Sequence, residues 1–187
     1  MSWTRQDTAP HRKHDIILVD ARDRPVGTGL KEPVHRQGLL HRAFSVFLVD
    51  RGGRWLLQQR AAGKYHSPLL WANACCGHPL PGETVREAGA RRLREELGVE
   101  APLEHLGHLV YKSALENGRW EHEFDHVLLG VYGGPFAPDP AEVAALRWVA
   151  PASLHEELAD RPERFAVWFR TIVAGQATGA GMSRLLG

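Results

Sequence analysis

The stretch from Thr84 to Gly98 limits what this chain can fold into more than any other. Thr84 and Glu87 stand at capping-box spacing, where each side chain can satisfy a backbone N–H at a helix start. Gly98 follows Leu97 as a stop, because a helix end favours a left-handed residue and glycine takes that conformation without strain. Val85, Gly89, Leu93 and Leu97 recur every four residues, which predicts a helix over 84–97 with one buried stripe. Such a helix needs an apolar surface to lie on.

The rest of the chain supplies that surface as strands. Residues 16–19, 43–49 and 54–59 read as strands, with turns over 20–25 and 50–53. Residues 71–75 are short and extended. Residues 103–113, 124–132 and 144–149 read as three further strands, with Asn117–Gly118 turning the first into the second. Residues 151–158 and 163–173 read as helices. Together these predict an α+β protein, an α/β/α sandwich with a mixed sheet flanked by helices. The length of 187 residues fits one domain over 1–187, with 1–14 and 176–187 as flexible tails.

Bulk properties exclude several classes. The formal net charge of +1 gives no global field for nucleic acid or a membrane surface. Apolar runs fall far short of the roughly 20 residues that span a bilayer, and the first 15 residues hold no apolar signal core. A cytoplasmic protein, a monomer or a weak homodimer, is expected. The two cysteines, Cys75 and Cys76, are adjacent, so a disulfide framework is excluded.

Chemistry enters just before the helix. From Gly77 the spacing G-x5-E-x7-R-x-U-x-E-E-x-G-U, with U aliphatic, runs through Glu83, Arg91, Leu93, Glu95, Glu96 and Gly98 to Val99. The segment resembles the Nudix box at eight of its nine specified positions. The departure is Arg92, where the box has glutamate. A hydrolytic Nudix site needs that carboxylate cluster for the metals that activate water. A cation in its place argues for keeping a diphosphate rather than cleaving it.

Three more segments, 38–50, 73–80 and 120–129, resemble the type 1 isopentenyl-diphosphate isomerase family, a Nudix-fold branch with extra N-terminal strands. With the box, the resemblance covers roughly residues 15–175. It implies an enzyme that moves a carbon–carbon double bond in a five-carbon diphosphate through a tertiary carbocation. That chemistry needs a proton donor and an acceptor on opposite sides of the substrate, in a dry pocket. The resemblance assigns Cys76 and Glu123 to the two faces, as an acidic thiol and a metal-bound carboxylate in one closed cavity. It makes Tyr111 the partner of Glu123. It implies a metal site of His35, His41, His78, Glu121 and Glu123, for Mn²⁺, Zn²⁺ or Mg²⁺. Glu121 and Glu123 are two apart, so on a strand both face one ion, whatever the resemblance says. His35 is placed in a loop.

The resemblance also implies a Mg²⁺ on the diphosphate, with Glu96 at its position. Lys31, Arg60, Lys64 and Arg92 match the basic positions that would hold the anion, and Trp168 the aromatic face that would stabilise a cation. The partner is a small isoprenoid diphosphate. The main rival is a Nudix pyrophosphohydrolase, which Arg92 and the Cys76–Gly77–His78–Pro79 run speak against. A non-catalytic binding module and a structural zinc site are the others. Structural zinc sites are closed, four-coordinate and rich in cysteine, unlike this set.

Overall fold

The computed structural model describes residues 15–64, 66–115, 118–176, 179, 181, 182 and 185. Its strands are β1 (Asp15–Val19), β2 (Pro25–Leu30), β3 (His41–Val49), β4 (Trp55–Arg60), β5 (Trp71–Ala72), β6 (Cys75–Gly77), β7 (Glu104–Ala114), β8 (Trp120–Val131) and β9 (Val143–Val149). Its helices are α1 (Lys31–Gln37), α2 (Val85–Leu97), α3 (Pro151–Asp160) and α4 (Val167–Thr171).

β3 is the hub. Ala43 to Leu48 are all buried, the unbroken run expected of a strand covered on both faces. It pairs in parallel with β8, from His41↔Glu123 to Val49↔Val131. It pairs antiparallel with β1, β4 and β6, the last through Ser45↔Cys76. β7 extends the sheet beyond β8 and β9 beyond β4. The result is the expected mixed sheet with helices on both sides.

α2 covers one side. Its Thr84 cap is the full capping box, and Gly98 ends it in the left-handed region at φ 65°. Ala88, Leu93 and Leu97 pack on Phe44, Val46, Leu48 and Leu56. The approach is so close that a Cβ on Gly89 would stand 2.8 Å from Leu128 Cδ1. Val85 is only partly buried, so Ala88 takes much of the place expected for it in the stripe. On the other side, α3 and α4 seat Leu154, Trp168 and Phe169 against Phe47, Trp55 and Leu57.

Three local expectations are corrected. Residues 25–30 continue past the turn as β2, and α1 follows directly, so His35 lies on a helix and not in a loop. Residues 163–173 are not one helix. The Ala166 N–H donates to the Trp71 carbonyl at 2.9 Å and Phe165 bridges Trp71, which takes the backbone groups a continuous helix would use. The chain therefore runs as a 3₁₀ turn (Pro162–Arg164), then α4, then a wider π-type turn (Ile172–Gln176). Of the expected C-terminal tail, Met182 and Leu185 are buried in the core. The 1–14 tail, and Asn117 of the 117–118 turn, lie outside the described residues. Among the described residues no helix is long and apolar enough to cross a membrane.

Candidate active site

Alternation along β8 builds the site. Glu121, Glu123 and Asp125 share one face of the strand, and parallel pairing sets His41 beside Glu123. Antiparallel pairing with β7 brings Tyr111 to the same Glu123, whose Oε2 accepts its O–H at 2.7 Å. α1 contributes His35, and the turn after β6 contributes His78.

The three imidazole rings meet with centroids 4.9 to 5.6 Å apart. His35 and His41 are fully buried. Each Nδ1 faces a backbone carbonyl, Lys31 O at 2.7 Å and Leu39 O at 2.8 Å. A carbonyl only accepts, so each Nδ1 carries the proton and each Nε2 lone pair turns inward. There His35 Nε2 lies 3.4 Å from Glu121 Oε2, and His41 and His78 Nε2 lie 3.6 and 3.3 Å from Glu123 Oε1.

Among the described residues, His41 Nε2, His78 Nε2 and Glu121 Oε2 are buried and make no hydrogen bond. Buried polar atoms rarely stay unsatisfied. Ligand atoms of His35, His41 and His78, and of His41, Glu121 and Glu123, lie within 4.8 Å of one another in each set. The donor set and its inward lone pairs fit a divalent cation.

Proton positions follow from burial. Burial lowers His35 and holds His78 at about 3, so both rings are neutral, as ligands must be. Burial, reinforced by the charge of Glu123, pushes Glu121 well up. Burial also pushes Glu123 up, but the His41 and His78 imidazoles, 3.6 and 3.3 Å from its Oε1, outweigh it and hold that carboxyl well below the usual range. The Cys76 thiol departs from expectation. Burial raises it to about 12 against the pull of Arg60, so it is a neutral thiol and not an acidic one.

Cys76 and Glu123 line the same cavity, of about 540 Å³. Lys31, Arg60, Lys64, Arg92 and Trp168 line it too. Lys64 pairs with Glu142, and Arg92 with Glu95, Glu96 and Glu142. The Arg60 guanidinium sits 5.2 Å above the Trp168 ring, whose Nε1–H donates to Asn73 Oδ1. Glu96 stands apart. Both its oxygens accept hydrogen bonds, Oε1 from Arg92 and Oε2 from Gln58.

Sequence reasoning missed His66. It lies between β4 and β5, lines the cavity and holds Nε2 3.2 Å from Glu121 Oε1. Burial lowers it to about 2, helped by the charges of Arg60 and Lys31. No local pattern marks it, since a histidine in a loop is ordinary. The box itself holds a clamp that spacing did not reveal. Arg91 grips Glu83 through two bonds, 2.8 and 2.9 Å, and Glu83 also accepts the Leu80 N–H. The pair ties the loop to α2.

This curled sheet, with α2 and its loop on one side and a buried metal-ready cavity beside it, defines a Nudix domain, and the NUDIX domain family matches residues 39–169. Solved structures agree on the fold. A Deinococcus radiodurans protein superposes with a TM-score of 0.66 at 24% identity, covering 92% of this chain and 97% of its own. A MutT protein from Methanosarcina mazei gives 0.58 at 17% identity, covering 78% and 92%.

Within that fold, the chain belongs to the isopentenyl-diphosphate Delta-isomerase family. The isopentenyl-diphosphate Delta-isomerase of Burkholderia multivorans is 51% identical over 158 residues, 84% of this chain and 90% of its own length. That of Nocardia farcinica is 53% identical over 160 residues, covering 84% and 91%.

Proposed function

We propose that this chain interconverts isopentenyl diphosphate and dimethylallyl diphosphate, with Cys76 and Glu123 as its proton-transferring groups. One proton is added to the terminal alkene carbon, leaving a tertiary carbocation. One proton then leaves the neighbouring carbon, and the double bond forms there. Atoms and charge balance, because one proton enters and one departs. The observation that carries the reading is the shared cavity of Cys76 and Glu123, beside four basic side chains suited to a diphosphate.

The two walls start with opposite proton occupancy. Cys76 holds its proton and Glu123 has lost its own. A reaction that delivers a proton on one side and collects one on the other needs that asymmetry. Tyr111 fixes the Glu123 carboxyl by its hydrogen bond. Trp168 presents a π-system that can stabilise positive charge without forming a bond. Arg60, Lys64, Lys31 and Arg92 hold the diphosphate at one end of the cavity and so orient the hydrocarbon.

His35, His41, His78, Glu121 and Glu123 would hold the divalent ion, of which Mn²⁺, Zn²⁺ and Mg²⁺ suit the donors. When bound, that ion supplies positive charge that shifts the acidity of the carboxyls beside it. The pyrophosphohydrolase reading fares worse. Where its carboxylate cluster would gather metals, the Arg92 guanidinium neutralises Glu95 and Glu96. The test is incubation with isopentenyl diphosphate in deuterated water, followed by NMR. Deuterium should enter dimethylallyl diphosphate with no release of phosphate. Release of phosphate or pyrophosphate without deuterium incorporation would sink the proposal.

A further inference from the structure

The two carboxylates of the cluster are braced in the same way by different residues. Glu123 has one oxygen occupied from behind by Tyr111, and turns Oε1 toward His41 and His78. Glu121 repeats the pattern. Its Oε1 lies 3.2 Å from His66 Nε2, and its Oε2 faces His35 Nε2 at 3.4 Å while making no hydrogen bond. Nothing in the sequence pairs residue 66 with residue 121.

We propose that His66 is a positioning residue whose Nε2–H donates to Glu121 Oε1, so that Glu121 presents only Oε2 to a cation held among His35, His41 and His78. The proposal rests on the reading of that cluster as a metal site. The reasons are geometric. A carboxylate with both oxygens open can rotate about its last torsion, which is broad, or swing to bind through both atoms. A donor on one oxygen fixes the plane of the group and leaves one ligand atom. Donors of this kind behind a ligand are worth about 10–100-fold in metal affinity.

His66 is itself well fixed. Its ring stands edge-on to Trp168 at 5.7 Å, and its carbonyl accepts from Arg60 Nη2 at 3.1 Å. The segment between β4 and β5 thus touches three parts of the site. It carries Lys64, it pins the Arg60 guanidinium, and through His66 it braces Glu121. A change at residue 66 should therefore be felt at the metal before it is felt at the diphosphate.

The test is Mn²⁺ titration of the full-length, metal-stripped chain, with free Mn²⁺ read by electron paramagnetic resonance. His66→Phe fills the space without a donor. His66→Gln places an amide N–H near the position of Nε2. Both variants are first compared with the wild type by thermal unfolding without metal. His66→Phe should weaken Mn²⁺ binding by about 10–100-fold, and His66→Gln should recover all but about threefold of it. Equal affinities in the two variants, whether both near wild type or both weak, would overturn the donor role, since a space-filling role does not distinguish them. If His66→Phe does not fold, His66→Gln against His66→Leu gives the same comparison. A wild-type chain that binds no Mn²⁺ would overturn the metal reading of the cluster and this proposal with it. Wild-type binding with no split between the variants would overturn this proposal alone.

Discussion

Histidines and carboxylates gather against both faces of strand β8, and the two faces behave in opposite ways. On the inner face, the side chains of Glu121 and Glu123 meet His35, His41 and His78, and buried nitrogen and oxygen atoms are left pointing at one another. On the outer face, His126 Nε2 bonds Asp23 Oδ2 at 3.0 Å, and His126 Nδ1 bonds His105 Nε2 at 3.0 Å. Asp23 also accepts from Arg42, and His108 stacks on Phe124 at 4.6 Å. Outside, every one of these polar contacts closes on another side chain. Inside, backbone carbonyls take the Nδ1 protons of His35 and His41 and so aim their Nε2 atoms at a common point. The density of histidine does not make a site. What does is the convergence of buried atoms whose own neighbours cannot satisfy them.

The comparison breaks most sharply at the inner face. Cys76→Ala and Glu123→Gln should each remove nearly all isomerase turnover, since a positioned acid or base contributes about 10²–10⁴-fold. His105→Asn, on the outer face, should stay within about twofold of wild type. Either inner variant retaining more than about a tenth of wild-type turnover would refute that residue's role.

Metal should divide the faces next. Chelation should abolish turnover, and Mn²⁺ or Mg²⁺ should restore it. At about 100 times its dissociation constant, the ion should also stabilise the fold by about 2.7 kcal/mol, seen as a rise in melting temperature. His41→Ala should lose that rise, and His126→Gln should keep it. Turnover that persists without divalent metal would remove the distinction between the faces.

The last effect is on acid stability, and it belongs to the outer face. Burial lowers His126 to about 4, against the ordinary value of 6.5, with Asp23 pulling the other way. The folded form thus favours the neutral ring. Between pH 6.5 and 4 the unfolded chain takes up a proton that the folded chain refuses, so stability falls as pH falls through that window. The loss should be at most about 3 kcal/mol, from 1.36 kcal/mol per pKa unit. Urea unfolding from pH 7 to 4 at fixed metal should show a shallower decline in His126→Gln. An unchanged slope would mean that Asp23 keeps the ring charged.

Much of this was legible along the chain, for local reasons. The capping box of Thr84 and Glu87, the stop at Gly98 and the pairing of Glu121 with Glu123 each depend on residues four or fewer apart, or on the alternation of one strand. The break at Phe165 and Ala166 was not legible, because the Trp71 carbonyl that competes for the Ala166 N–H lies nearly 100 residues away. Nor was helix α1, a seven-residue helix that contains a proline and has no side-chain cap. His66 left no trace at all, since its partner Glu121 lies on a strand far along the chain.

By itself, then, the sequence determined the helix, the box loop before it and the kinds of side chain available for proton transfer and metal binding. These are set by short-range periodicity and by residue chemistry. Only the folded sheet decided which atoms meet, which face of β8 becomes a site, and that burial raises the Cys76 thiol. Those properties depend on burial and on long-range register, which set the local dielectric and the neighbours of each group.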